Sequence, residues 1–124
     1  MAAPNIVGVT TILGITTAAQ LTTSPVSILS NAAGSGKVFK INTILAANES
    51  ASTANVTVRY NDNAAGAGTT FTVANGIDIT AKSSLVVLDK ASSIYLEENR
   101  SITALASANS ALDLLISYES ITNL

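Results

Sequence analysis

The chain reads as an all-β protein, an antiparallel β-sandwich of about eight strands in a jelly-roll-like arrangement. Three observations predict it. Short apolar runs alternate with polar residues at period two, and clusters of Asn, Gly, Ser and Ala separate those runs at sandwich-like spacing. Surface polarity comes from short neutral side chains: 15 Ser, 15 Thr and 11 Asn stand beside only 14 charged residues. A charged content of 11% is under half the roughly 25% of ordinary soluble domains, while 48% hydrophobic residues are too many for a disordered chain. A length of 124 residues allows one domain, 1–124, with a modest core.

The elements follow in order. Residues 7–15 and 19–29 are Thr-rich and uncharged, and read either as a strand pair or, for residues 1–20, as an N-terminal arm lying on a neighbouring subunit. A turn over 31–36 leads to a strand over 37–47, with Phe39, Ile41, Thr43 and Leu45 on one face opposite Lys40 and Asn42. After a turn over 48–54, residues 55–60 place Val56, Val58 and Tyr60 inward and Thr57 and Arg59 outward. The turn over 61–68 precedes short strands at 69–73 and 77–80, separated by Ala74-Asn75-Gly76, whose Asn-Gly pair favours a tight reversal. Strands follow at 84–88, 94–97 and 101–106, the last two reading as a hairpin through Glu98-Asn99-Arg100. Residues 104–115 contain strong helix formers, but Ser107-Ala108-Asn109-Ser110 reads as a turn. Beyond it Leu112, Leu114, Ile116 and Tyr118 alternate with Asp113, Ser117 and Glu119, the pattern of a half-buried strand.

The missing residue types remove much familiar chemistry. Without His or Cys there is no imidazole base, thiol nucleophile, ordinary zinc ligand set, disulfide or haem attachment, so no catalytic residue, metal or cofactor is expected. A net charge of −2 with six cations and five aromatics argues against a nucleic-acid partner. The first cation is Lys37, so the N-terminus lacks the basic start of a secretory signal, and Thr10, Thr11, Thr16 and Thr17 interrupt its apolar run. No membrane association is expected. Glycosylation triplets at Asn48, Asn55 and Asn99 are as many as chance supplies in so Ser- and Thr-rich a chain.

The remaining motifs favour structural roles. Residues 32–37 resemble a phosphate-cradling loop but have Asn31 and Val38 where Gly and Ser or Thr are needed. Glu97 and Glu98 are adjacent, so on a strand they diverge and cannot flank one scissile bond; a solvated hairpin shoulder is expected. Asn61-Asp62-Asn63 lacks the further acids of a calcium loop. No Ser stands three residues before any Lys, so a Ser-Lys nucleophile is not indicated. Phe39, Tyr60, Phe71, Tyr95 and Tyr118 fall in strands and read as core filling.

All 14 charges lie between Lys37 and Glu119, and the first 36 residues carry none. A solvated third of a domain would carry several, so the segment from Pro4 to Ser30 is expected to meet protein, with Pro4, Ile6, Val7, Val9, Ile12, Leu13 and Ile15 as the interface residues.

Four stretches carry a resemblance: Met1-Ala2-Ala3-Pro4-Asn5-Ile6-Val7; Gly36-Lys37-Val38-Phe39-Lys40-Ile41-Asn42; Leu85-Val86-Val87-Leu88-Asp89-Lys90 running on to Ser93-Ile94-Tyr95-Leu96-Glu97-Glu98; and Leu115-Ile116-Ser117-Tyr118-Glu119. Together they resemble small virion structural proteins of tailed bacteriophages, particularly those of marine bacteria. The resemblance implies a β-sandwich that decorates the capsid or serves in the tail, and it carries no active-site residues. The expectation is a capsid decoration, or cement, protein bound over the major capsid protein, self-associating as a homotrimer. It would assemble in the host cytoplasm and reside on the capsid surface. The alternatives are a tail, neck or fibre protein and a carbohydrate-binding or host-adhesion module using the loops 48–54 and 61–68.

Overall fold

A computed structural model describes residues 7–8 and 11–122 of the chain. Among them run nine strands: β1 (Thr11–Gln20), β2 (Val26–Asn31), β3 (Lys37–Asn48), β4 (Ala54–Asn61), β5 (Thr70–Ile79), β6 (Ser84–Leu88), β7 (Ile94–Leu96), β8 (Arg100–Ala106) and β9 (Leu112–Thr122). One antiparallel sheet has the order β1-β9-β3-β6, with β7 sharing the β6 edge of β3; the other has the order β2-β8-β4-β5. Only the β4–β5 and β6–β7 connections stay within a sheet, and every other connection crosses. This is the all-β sandwich expected, with the interleaved strand order of a jelly roll.

The core lies between the sheets. The alternation of β9 holds as read: Leu112, Leu114, Ile116 and Tyr118 are all buried. They meet Ile41, Ile44 and Ala46 of β3, Val56 and Val58 of β4, and Ile102, Ala104 and Ala106 of β8 in one cluster. Each large aliphatic side chain so buried contributes about 1.5–3 kcal/mol.

Four local readings are corrected. In β3 the predicted face holds as far as Ile41, after which the ladder with β9 shifts register between Ile41 and Thr43. Beyond this bulge Ile44, Ala46 and Asn48 point inward, leaving Thr43 and Leu45 outside the core. An inserted residue reverses every later side chain, and a period-two pattern cannot show where it lies. Asn75-Gly76 is likewise a bulge, not a reversal: β5 runs through it, with Gly76 at φ +60 and its N–H donating to Thr57 Oγ1 at 3.1 Å. The segment around Glu98-Asn99 is a crossing between sheets, because β7 pairs with β3 while β8 pairs with β2 and β4. Finally, β1 and β2 are not a pair. β1 runs along β9 of its own chain for all ten residues, and β2 lies in the opposite sheet beside β8. Leu21, fully buried, anchors that crossing, with its N–H bonded to Leu112 O at 2.8 Å.

Three asparagines that open predicted turns are buried and hold the ends of the sandwich. Asn31 closes β2 and donates through Nδ2 to Lys37 O at 2.9 Å and Leu96 O at 3.0 Å, both in the facing sheet. Asn48, at the far end of β3, donates to Ser52 O at 2.8 Å and to Ile79 O of the facing sheet at 2.9 Å. Asn61 reaches Thr103 Oγ1 at 3.0 Å within its own sheet. An amide is suited to this work because its two N–H groups can serve two carbonyls at once.

Replacing Asn31 or Asn48 by Ala strands buried carbonyls and is expected to lower unfolding free energy by about 2–4 kcal/mol, whereas Asn109→Ala, which removes an exposed bond to Thr23 N, should cost under about 1 kcal/mol. Urea denaturation of the three variants measures this. Burial raises the Tyr118 hydroxyl above its usual 10.0. The neutral form is thus favoured in the folded state, so its contribution is complete below pH 10 and is lost as pH climbs past that value. Tyr118→Phe is expected to flatten this alkaline loss in pH-dependent unfolding curves.

Candidate functional site

The residues that sequence analysis weighed for chemistry are engaged in holding the fold. Gly34 and Gly36 have φ of +74 and +72 in the loop before β3. The acceptor that loop meets is the protein's own carboxyl: Gly36 N donates to Glu98 Oε2 at 3.0 Å. The two neighbouring carboxylates diverge as expected, with Glu97 exposed, but Glu98 is only 7% exposed instead of solvated. The β7–β8 crossing carries it under the 31–36 loop, a placement that a planar hairpin would not give. Its Oε1 is buried and accepts no hydrogen bond from the described residues.

The Asn61-Asp62-Asn63 oxygens are spent on local structure. Asp62 Oδ1 accepts from Thr69 N at 2.7 Å, and Asn63 Oδ1 accepts from Asn99 Nδ2 at 2.9 Å. No group of three or more acidic or other metal-ligating side chains occurs among the described residues. Loop 61–68 uses its donors inward as well: Ala64 N reaches Asn99 Oδ1, Ala65 N reaches Ser30 Oγ and Gly66 N reaches Ser101 Oγ, at 3.1, 2.9 and 2.8 Å. In loop 48–54, Ser50 N and Ser50 Oγ both donate to Asn48 Oδ1.

The aromatics divide. Tyr118 is buried against Phe39 with ring centroids 5.0 Å apart, and Tyr60 packs on the core. Phe71 and Tyr95, read as core, are 56% and 43% exposed. Both lie on strands at sheet edges, where a period-two pattern cannot tell a covered face from an open one.

What remains for contact with another molecule is a neutral, apolar part of the surface. Of the expected interface residues, Pro4, Ile6 and Val9 lie outside the described residues, and Val7 is exposed. Ile12, Leu13 and Ile15 lie together on β1, exposed by 54%, 54% and 37%. The register shows that they occupy both faces. Leu13 and Ile15 stand opposite Ser120 and Tyr118 on the core side, and Ile12 opposite Ile121 on the outer side. Edge position is the cause: a strand with a neighbour on one side only leaves even its inward side chains half open to solvent. β2, which adjoins β1 across the sandwich, adds exposed Val26, and neither strand carries a charge.

A second apolar feature escapes the sequence pattern. Ala18, Leu115, Leu45 and Val86 stand in one cross-strand row over β1, β9, β3 and β6, on the outer face of the sheet. Leu115 was the legible signal, an apolar residue at an outward position of a clean alternation. Leu45 was hidden because the β3 bulge turns it away from its predicted side.

Glu98 tests whether the loop before β3 is fastened from within. Glu98→Gln keeps an acceptor for Gly36 N and should change stability by under about 1 kcal/mol, while Glu98→Ala should cost about 1–3 kcal/mol. Thermal unfolding at neutral pH distinguishes the two.

Comparison of the chain with protein-family models and with curated proteins finds no match.

Proposed function

We propose that the protein is a structural component of a tailed-phage virion, a capsid decoration protein that binds over major capsid subunits and stabilises the shell. One observation carries this reading: the sandwich uses its polar groups on its own loops and leaves apolar surface open on β1 and at Val86, which continues a row through the half-buried Leu45 and Leu115 to Ala18. A protein whose task is packing needs that combination. Contact with a shell desolvates whatever it covers, and burying ions costs several kcal/mol each unless they are well paired. A surface of Thr, Ser, Ala and Leu avoids the cost. The terminal and strand resemblances to marine phage virion proteins point the same way. The outer-face row is the surface assigned to the shell, leaving the β1 edge for contact among copies.

The test is to mix purified protein with phage heads that lack it and to image the particles by cryo-electron microscopy. Density repeated at icosahedral positions is the expected outcome. Leu115→Lys with Val86→Lys should weaken occupancy at least ten-fold while leaving the mass of the free protein unchanged. Density confined to the neck, tail or fibres would replace this reading with that of a tail protein, and absence from the particle would overturn both.

A further inference from the structure

Among the described residues the sandwich has four open edges, formed by β1, by β6 with β7, by β2 and by β5. A sheet edge presents unpaired N–H and C=O groups, and folded proteins guard it with charge, proline, bulges or brevity. Three of these edges are guarded. β2 has six residues, follows Pro25 and shifts register between Ser27 and Leu29. β5 shifts register against β4 on either side of Val58 and carries Asp78. β6 and β7 are five and three residues long, with a 3₁₀ turn at Lys90–Ser92 between them. β1 has no such protection. It is ten residues long, without charge or proline, and keeps one continuous register from Thr11 to Gln20 against β9. Among the described residues nothing pairs with its other side.

We infer that this free edge pairs antiparallel with β1 of a second copy about a two-fold axis, joining two β1-β9-β3-β6 sheets into one continuous sheet. Charge selects the occupant. In a two-fold contact a strip of surface meets itself, so any charge on it faces its own copy. A strip that instead recognised a charged partner would carry the opposite sign, and β1 carries none. The nearest carboxylate is that of Glu49, whose Oε1 accepts from Gln20 Nε2 at 3.2 Å at the end of β1. Antiparallel pairing holds its two copies at opposite ends of the junction, while Asp113 opposite Gln20 and Glu119 opposite Gly14 sit one strand behind. Across a β1–β1 junction the two β9 strands lie three strand spacings apart, about 14 Å, beyond the screening length of about 8 Å. Like charges therefore do not oppose the pairing. Antiparallel pairing also keeps faces in register, so that Ile12 and Ala18 continue the outer face while Leu13 and Ile15 continue the inner one. A strand of this length, with its exposed isoleucines and leucine, covers on the order of 1,000 Å² over both copies, the lower bound for specific association. The two-fold dimer takes the place of the trimer expected from the sequence, and it forms whether or not the protein binds a shell.

Light scattering and amide hydrogen exchange test the pairing. The free protein is expected to have the mass of two 12.6 kDa chains. All β1 amides should be protected, including the alternate ones that point away from β9. Ile12→Lys with Ala18→Lys places two cations on the outer face of β1 and spares its inner face; it should weaken dimerisation at least ten-fold and speed exchange of those alternate amides at least ten-fold, with an unchanged far-ultraviolet dichroism spectrum. Should the variant fail to fold, diluting the wild-type chain below its dissociation constant must expose the same amides. A wild-type mass of one or three chains, or alternate amides that exchange freely in the dimer, overturns the inference.

Discussion

Wherever the chain leaves one sheet for the other it must interrupt a ladder, and each interruption strands backbone N–H and C=O groups at the rim of an apolar core. A buried carbonyl without a partner costs about 1–3 kcal/mol, and this fold crosses between sheets at nearly every connection. The jelly-roll order is therefore affordable only because side chains complete the backbone at those rims. Asn31 does so at one end of the sandwich and Asn48 at the other, each reaching a carbonyl of the facing sheet. The core between them is rich in Leu, Ala and Ile, apolar residues that hold the sheets together but offer nothing directional to fix their relative position. Directional bonds at the two ends supply that position.

The same economy shapes the surface. Polar side chains turn back on the protein's own backbone, as in Asn48 on Ser50, Asp62 on Thr69 and Glu98 on Gly36. Long flexible charges, which keep most proteins apart in solution, are scarce. A domain so built loses little side-chain entropy and few hydrating ions when another molecule covers it. The stability of the fold and the low cost of covering its surface thus have one chemical origin.

Legibility differed from element to element. The inward face of β9 was readable because its buried residues keep period two, and Val56 and Val58 of β4 were readable for the same reason. The second half of β3 was not, since the bulge after Ile41 shifts every later residue to the other face without changing the residue types. Asn75-Gly76 has the composition of a reversal, but it is equally suited to a bulge, and only the partner strand β4 selects between them. For the candidate site, the missing charge in the first 36 residues drew attention to the segment that forms β1. Its being an unguarded edge, and the row formed by Ala18, Leu115, Leu45 and Val86, required the register between strands.

The amino-acid sequence by itself determined the all-β class, most strand positions, most of the chain breaks between them and the neutral character of the N-terminal third, because period-two burial, turn chemistry and charge are local properties of a chain. Tertiary structure alone decided which sheet each strand joins, that Glu98 is buried and that the turn-opening asparagines are buried. It also decided that β1 stands at the edge of its sheet among the described residues. These are relations between segments far apart in sequence, and local composition carries no record of which distant backbone will lie alongside.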